Sequence, residues 1–184
     1  FCTVDLSAFY FDIRKDALYC DSKNSDRRTG SIIVLNIILE SLIKWFAPIL
    51  SFTTEEIHVL INKDKKSIHL EQFMQFPKSF NNEKLNEKWV ELKKIRDVCN
   101  ISIEAKRSSK EIGSSLEANL IISLSEKLQK ITKNIDFSEL CITSNVKIEK
   151  NNSNEISVAT TKAEGKKCPV CWKINKGGCE RHPT

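Results

Sequence analysis

Between Ile32 and Leu50 the chain is apolar at nearly every position, and this run limits the possible folds more than any other stretch. Such a segment either crosses a bilayer or forms a helix shielded by other protein. Asn36, Glu40 and Lys44 fall inside it, and Pro48 interrupts its end. Charges at mid-span are costly in lipid. The expectation is therefore a core helix buried on most sides, ending near Ala47, and no membrane span. Glycine and proline number only 5 and 4, which argues against long disordered linkers. The 184 residues suffice for one domain with a sizeable core or for two smaller units. The chain opens on Phe1 and its one methionine is Met74, so it is expected to be a piece of something longer.

The remaining apolar patterns are mostly helical. Phe1 to Tyr19 reads as helix, although its apolar residues are too dense for a clean period. Asp21 to Gly30 is a connector or the exposed start of the next helix. Thr53 and Glu56 have the spacing of a capping box, and Phe52 and Ile57 that of a hydrophobic staple, predicting a helix from Thr54 to about Ile61. Lys63 to Lys66 is a charged loop, and Ile68 to Phe76 reads as extended up to Pro77. From Glu83 to Arg107, Leu85, Trp89, Leu92, Ile95, Val98, Cys99 and Ile103 form one apolar stripe. Lys106, Arg107 and Lys110 gather at its end, where the helix dipole favours cations.

At Gly113 the texture changes. Leu120 to Leu124 has strand character, Ser125 can cap a helix carrying Leu128, Ile131 and Ile135, and Val146 to Ile148 and Ile156 to Val158 alternate as strands around a turn at Asn151 to Asn154. The fold expected is mainly α. A helical domain spans 1–110, a small α/β unit 111–161 and a cysteine module 162–184.

Seven cysteines are present. Cys2, Cys20, Cys99 and Cys141 are scattered among apolar residues with no secretory signal ahead of them, as in a reducing cytoplasm. Cys168 and Cys171 enclose Pro169 and Val170, and two thiolates on one tight turn suit a tetrahedral zinc. Cys179 and His182 are the available further ligands, giving Cys-x2-Cys-x7-Cys-x2-His, with Gly177 and Gly178 letting the backbone fold back. A thioredoxin-like redox pair needs a preceding strand and a following helix, for which the tail has no room. The tail is basic through Lys162, Lys166, Lys167, Lys173, Lys176 and Arg181, and Trp172 follows the second cysteine. An aromatic ring among lysines can stack on unpaired bases. It can equally be the miniature core of the knuckle beneath a solvated face, and the residues alone leave both readings open. The net charge of +5 permits a nucleic-acid partner without requiring one. His58 and His69 read as structural. No phosphate-binding glycine loop and no nucleophile–base set is visible.

Several segments together resemble the bacterial-type isoleucyl-tRNA synthetase family. Val4-Asp5-Leu6-Ser7-Ala8-Phe9-Tyr10-Phe11-Asp12-Ile13-Arg14-Lys15-Asp16, then Arg27-Arg28, then Trp45-Phe46-Ala47-Pro48-Ile49-Leu50-Ser51-Phe52-Thr53 are similar to the helical anticodon-binding domain of class I synthetases for branched aliphatic amino acids. Ile112-Gly113-Ser114-Ser115-Leu116-Glu117-Ala118 resembles the segment after that domain's long helix. Lys162-Ala163-Glu164-Gly165 leading into Cys168-Pro169-Val170-Cys171-Trp172 resembles the isoleucyl branch's C-terminal zinc module.

The resemblance implies a helical anticodon-binding bundle, a small α/β unit and a zinc knuckle, in a monomeric cytoplasmic enzyme whose catalytic and editing domains lie elsewhere in the parent chain. ATP and isoleucine would be handled there, because the family's His-x-Gly-His and Lys-Met-Ser-Lys-Ser type motifs are missing here. Zinc would sit on Cys168 and Cys171. tRNA would meet Trp172, Lys166, Lys167, Lys173, Arg27 and Arg28. The chain departs from the family in two places. Val170 stands where arginine is common, and the family closes its module with a second Cys-x-x-Cys pair. Either Cys179 and His182 replace that pair, or the pair lies beyond Thr184 and those two are bystanders; the family's wider spacing favours the second reading. A free-standing zinc-knuckle RNA-binding protein and a thiol oxidoreductase are the alternatives.

Overall fold

The computed structural model describes residues 1–62, 66–151, 153 and 155–183, and the chain divides into two units, one of Asp21–Asn81 and the other of Phe1–Cys20 with Asn82–Thr184. Of the expected loop at 63–66 and turn at 151–154, residues 63–65, 152 and 154 lie outside the described residues.

The unit of Asp21–Asn81 is built on α2 (Asp26–Phe46) and α3 (Ser51–Ile61). Ser25 caps α2 by accepting the Arg28 amide at 3.4 Å. The expectation that this helix is buried on most sides is not met. Only Ser31, Ser41 and Ile43 are buried, whereas Ile33, Val34, Leu39, Trp45 and Phe46 are exposed. The reason is that within its unit α2 meets α3 and a single helical turn at Ile68–Leu70, which cover one stripe. By length and composition α2 could cross a membrane. Yet Lys44 Nζ lies 3.2 Å from Glu40 and 3.5 Å from Glu71 on an irregular segment beside it, an arrangement lipid tolerates poorly.

The capping box at Thr53 and Glu56 does not form either. The Thr54 amide already donates to the Leu50 carbonyl at 2.9 Å, so α3 has begun before Thr53 is reached. Phe52, the intended staple, is 93% exposed. Glu55 acts instead, accepting from the Ser67 hydroxyl at 2.8 Å and the Ile68 amide at 2.9 Å. That grip turns Ile68–Leu70 into a 3₁₀ turn where extended chain was expected, and the Ser67 bond chiefly holds the carboxyl below its ordinary range. His58 is buried and donates to the Lys66 carbonyl at 2.9 Å, a structural role.

In the other unit, Cys2–Phe11 winds as a wide π-type helix and continues as α1 (Asp12–Cys20). α4 (Glu83–Ser108) is the long helix, capped by Asn82, whose side chain accepts the Leu85 amide at 3.0 Å. Leu92, Ile95, Cys99 and Ile103 of its stripe are buried. They share one core with alternate residues of β1 (Ala118–Leu124), namely Ala118, Leu120, Ile122 and Leu124, and with Ile13. α5 (Glu126–Thr132) and α6 (Phe137–Leu140) carry the chain across to β2 (Asn145–Lys150), which lies parallel to β1. Ser125 stands at the N-cap of α5 without bonding through its side chain, and Ile135 falls beyond the helix end. β3 (Ser157–Lys162) pairs antiparallel on the other edge, giving the order β2-β1-β3. A parallel pair requires a crossover of this kind, so the short helices follow from the topology.

Candidate metal centre

After β3, a two-residue strand β4 (Lys166–Lys167) pairs with β5 (Ile174–Asn175), and the Cys-x-x-Cys turn is the loop between them. The Cys168 amide donates to the Lys173 carbonyl at 2.9 Å, and the Trp172 amide donates back to the Cys168 carbonyl at 3.0 Å. Gly165 opens this hairpin at φ +129°, where a Cβ would fall 2.3 Å from the Asn175 carbonyl oxygen. Gly165→Ala is therefore expected to cost about 1–3 kcal/mol in the conformation alone, read as a lowered unfolding temperature of the hairpin. An unchanged melting curve would refute the close approach.

The chain then returns through Gly178, at φ +84°, and brings Cys179 and His182 up to the pair. The two residues stand beside the first cysteine pair, within reach of the same ion. The ligand atoms of Cys168, Cys171, Cys179 and His182 all lie within 4.8 Å of one another. Cys171 Sγ is 3.7 Å from Cys179 Sγ, and His182 Nδ1 is 3.5 Å from Cys168 Sγ and 3.3 Å from Cys179 Sγ. Sulfurs about 2.3 Å from a tetrahedral zinc lie about 3.8 Å apart, and a nitrogen ligand comes slightly closer. Three of the six separations are thus close to that spacing, and all six are within 4.8 Å.

The histidine tautomer supports the fit. His182 Nε2 is 2.6 Å from the Cys20 carbonyl, which can only accept. Nε2 therefore carries a proton, and Nδ1 is the ring nitrogen that faces the sulfurs. The thiols are poised unequally. The Cys171 amide draws Cys168 down to about 6, while burial pushes Cys171 up to about 11. Burial also raises Cys179, but the His182 and Arg181 amides outweigh it and hold that thiol below its ordinary value. Cys168 and Cys179 are thus the easier thiols to ionise and Cys171 the harder, and a bound cation would favour loss of all three protons.

The remaining predicted contacts are distributed unevenly. Trp172 adjoins Cys171, 59% exposed, with its backbone in the left-handed region at φ 63°. Lys167 Nζ stands 5.9 Å from the centre of its ring. Lys166 and Lys167 are exposed on β4. Lys173 is half-buried and donates to the Ser138 hydroxyl at 3.0 Å. A cleft of about 370 Å³ adjoins Trp172, walled by Ile13, Tyr19, Leu116, Ile142 and Val170. Arg27 and Arg28 belong to the other unit, in the first turn of α2, where Arg27 makes two bonds of 2.7 and 2.8 Å to Asp21. Sequence reasoning missed Asp16, Cys20 and Ser144. Arg181 bonds Asp16, His182 bonds Cys20, and the Ile174 amide donates to Ser144 Oγ at 2.6 Å. No signal marked them, since each is remote in sequence from the knuckle.

Residues 1–122 match the family description "Anticodon-binding domain of tRNA ligase". The chain belongs to that tRNA ligase family. This family member is 75% identical to the isoleucine–tRNA ligase of Pelagibacter ubique (strain HTCC1062) over 99% of its own length and 20% of that protein's. It is 38% identical to the isoleucine–tRNA ligase of Agrobacterium fabrum over 95% of the chain and 19% of that protein, and 39% identical to that of Bartonella henselae over 96% and 19%. The tRNA ligase chain thus spans about a fifth of the length of the curated relatives it matches.

Proposed function

We propose that this chain is the anticodon-arm-binding part of a cytoplasmic, monomeric isoleucine–tRNA ligase, and that its tail is a zinc knuckle presenting Trp172 to RNA. In this reading residues 1–110 are the anticodon-binding domain, 111–161 the α/β support and 162–184 the knuckle. Activation of isoleucine with ATP, the ligation step and editing belong to the rest of the parent chain. Cys168, Cys171, Cys179 and His182 hold the ion, whose contribution is to cross-link a tail too short for a core of its own. Lys166, Lys167 and Lys173, and on the other unit Arg27 and Arg28, neutralise phosphates, so affinity falls as salt rises. The match to a far longer ligase favours this reading over a free-standing RNA-binding protein.

One observation carries it. Trp172 occupies a backbone region that costs a bulky residue of order 1–3 kcal/mol, and it does so with its ring largely in solvent. A knuckle that needed the indole as its own core would bury it. Trp172→Ala in the full-length protein is expected to weaken binding of isoleucine tRNA by roughly 1–3 kcal/mol, with Trp172→Phe recovering part of the loss. Equal affinity of the alanine variant and the parent, by filter binding at fixed salt, would remove the stacking role.

A further inference from the structure

The two residues that follow Trp172 are both tied to the body of their unit. Lys173 Nζ donates to the Ser138 hydroxyl at 3.0 Å, and the Ile174 amide donates to Ser144 Oγ at 2.6 Å. The Asn145 carboxamide reaches the Ile174 carbonyl at 3.4 Å. On its other side the Trp172 amide donates back to the Cys168 carbonyl at 3.0 Å. A bulky residue at φ 63° keeps that conformation only where its neighbours fix it.

Ser144 connects this segment to the sheet. It is buried just ahead of β2, and its own amide donates to the carbonyl of Ala118, the first residue of β1, at 3.1 Å. A serine hydroxyl has one proton to give. That proton goes to the Leu116 carbonyl, and the oxygen's lone pair is left to accept the Ile174 amide. The central strand thus fixes Ser144, Ser144 fixes Ile174, and Ile174 lies two residues from the exposed indole.

Resting on the RNA-binding reading of Trp172 above, and on no metal, we infer that Ser144 is a positioning residue for RNA recognition by this ring. Its hydroxyl holds the backbone after Trp172 to the head of β2, so the indole meets a base already oriented. The cost of ordering the ring is then met on folding and not on binding. Ser144 is buried and acts only through Ile174.

The test uses the full-length protein and isoleucine tRNA, with affinity measured by filter binding at fixed salt. Ser144→Ala should weaken binding about 3–10-fold, the effect of losing one hydrogen bond. Made in Trp172→Ala, the same change should cost nothing further, because no ring remains to be positioned. Ser102→Ala removes a hydroxyl from the same unit at the opposite edge of the sheet, where Ser102 Oγ shares a bond of 2.7 Å with the Thr160 hydroxyl. It should leave tRNA affinity unchanged. In charging assays the Ser144→Ala loss should appear in KM for tRNA with kcat kept. If Trp172→Ala binds tRNA as the parent does, the RNA-binding reading itself is wrong. If Trp172→Ala weakens binding while Ser144→Ala stays within twofold of the parent, the positioning role is wrong although that reading stands. Equal losses from Ser144→Ala with and without Trp172, or as large a loss from Ser102→Ala, would also overturn it, since Ser144 would then act independently of the ring.

Discussion

Cys171→Ser is expected to strip the ion from the knuckle and to release residues 166–183 from the rest of their unit. The sulfur it removes is buried and lies 3.7 Å from Cys179 Sγ, within the group of Cys168, Cys171, Cys179 and His182. Binding free energies of structural zinc reach about 10–16 kcal/mol in small domains and serve there as folding free energy. The knuckle has little else of that size. Its own sheet is the two-residue pairing of β4 with β5, and its ties to the body are polar contacts such as Ile174 to Ser144, Lys173 to Ser138, His182 to Cys20 and the paired bonds of Arg181 to Asp16. Hydrogen exchange should therefore show the amides of Cys168 and Trp172 losing protection together, while those of β1 keep it. Treatment of the parent protein with a strong chelator should reproduce the same pattern. Full protection of the hairpin in the variant would mean that hydrogen bonds alone hold it.

Leu92→Ala is the second large effect. Leu92 is fully buried, in one core with Ile95, Cys99, Leu120 and Ile122. Truncation to alanine in such a site costs about 2–5 kcal/mol, because the cavity adds to the lost transfer energy. That core joins α4 to the central strand β1, so the loss should weaken the whole of its unit. Exchange at the slowest amides of α4 and β1 should accelerate by the corresponding factor, whereas the amides of α3 in the other unit should be unaffected. Leu85→Ala on the same stripe supplies the contrast. Leu85 is half-exposed, and its truncation should move stability by no more than about 0.5 kcal/mol. Equal effects at both positions would show that the stripe, and not the buried part of it, sets stability.

These two residues illustrate how much was legible in the sequence. The three- and four-residue spacing around Leu92 located α4 within one residue at its end, and the alternation at Leu120 to Leu124 located β1, because burial on one face leaves a periodic record. The Cys-x-x-Cys spacing located the turn that brings Cys168 and Cys171 together for a comparable reason, since a tight turn leaves a local signature. Features made by distant pairing left no such record. The Thr53 and Glu56 spacing suggested a cap, but the Leu50 carbonyl had already started the helix, and only the fold of the Ala47–Leu50 turn decides that. Cys179 and His182 fell outside the family's usual spacing. What brings them in is partly the pair of groups on α1, more than 160 positions earlier, that receive Arg181 and His182. The apolar run of α2 was read as a buried helix on composition, which counts how much surface needs cover without saying what covers it.

The proposed metal centre is a single ion held by three sulfurs and one imidazole nitrogen. Zinc-edge X-ray absorption on the full-length protein, taken as the difference from Cys171→Ser, tests it most directly. The expected spectrum has three sulfur scatterers at about 2.3 Å and one nitrogen at about 2.0–2.1 Å, with the outer-ring signature of imidazole. A shell of four sulfurs would place the closing pair outside this chain and return His182 to a bystander, and a difference spectrum with no zinc would contradict the account outright.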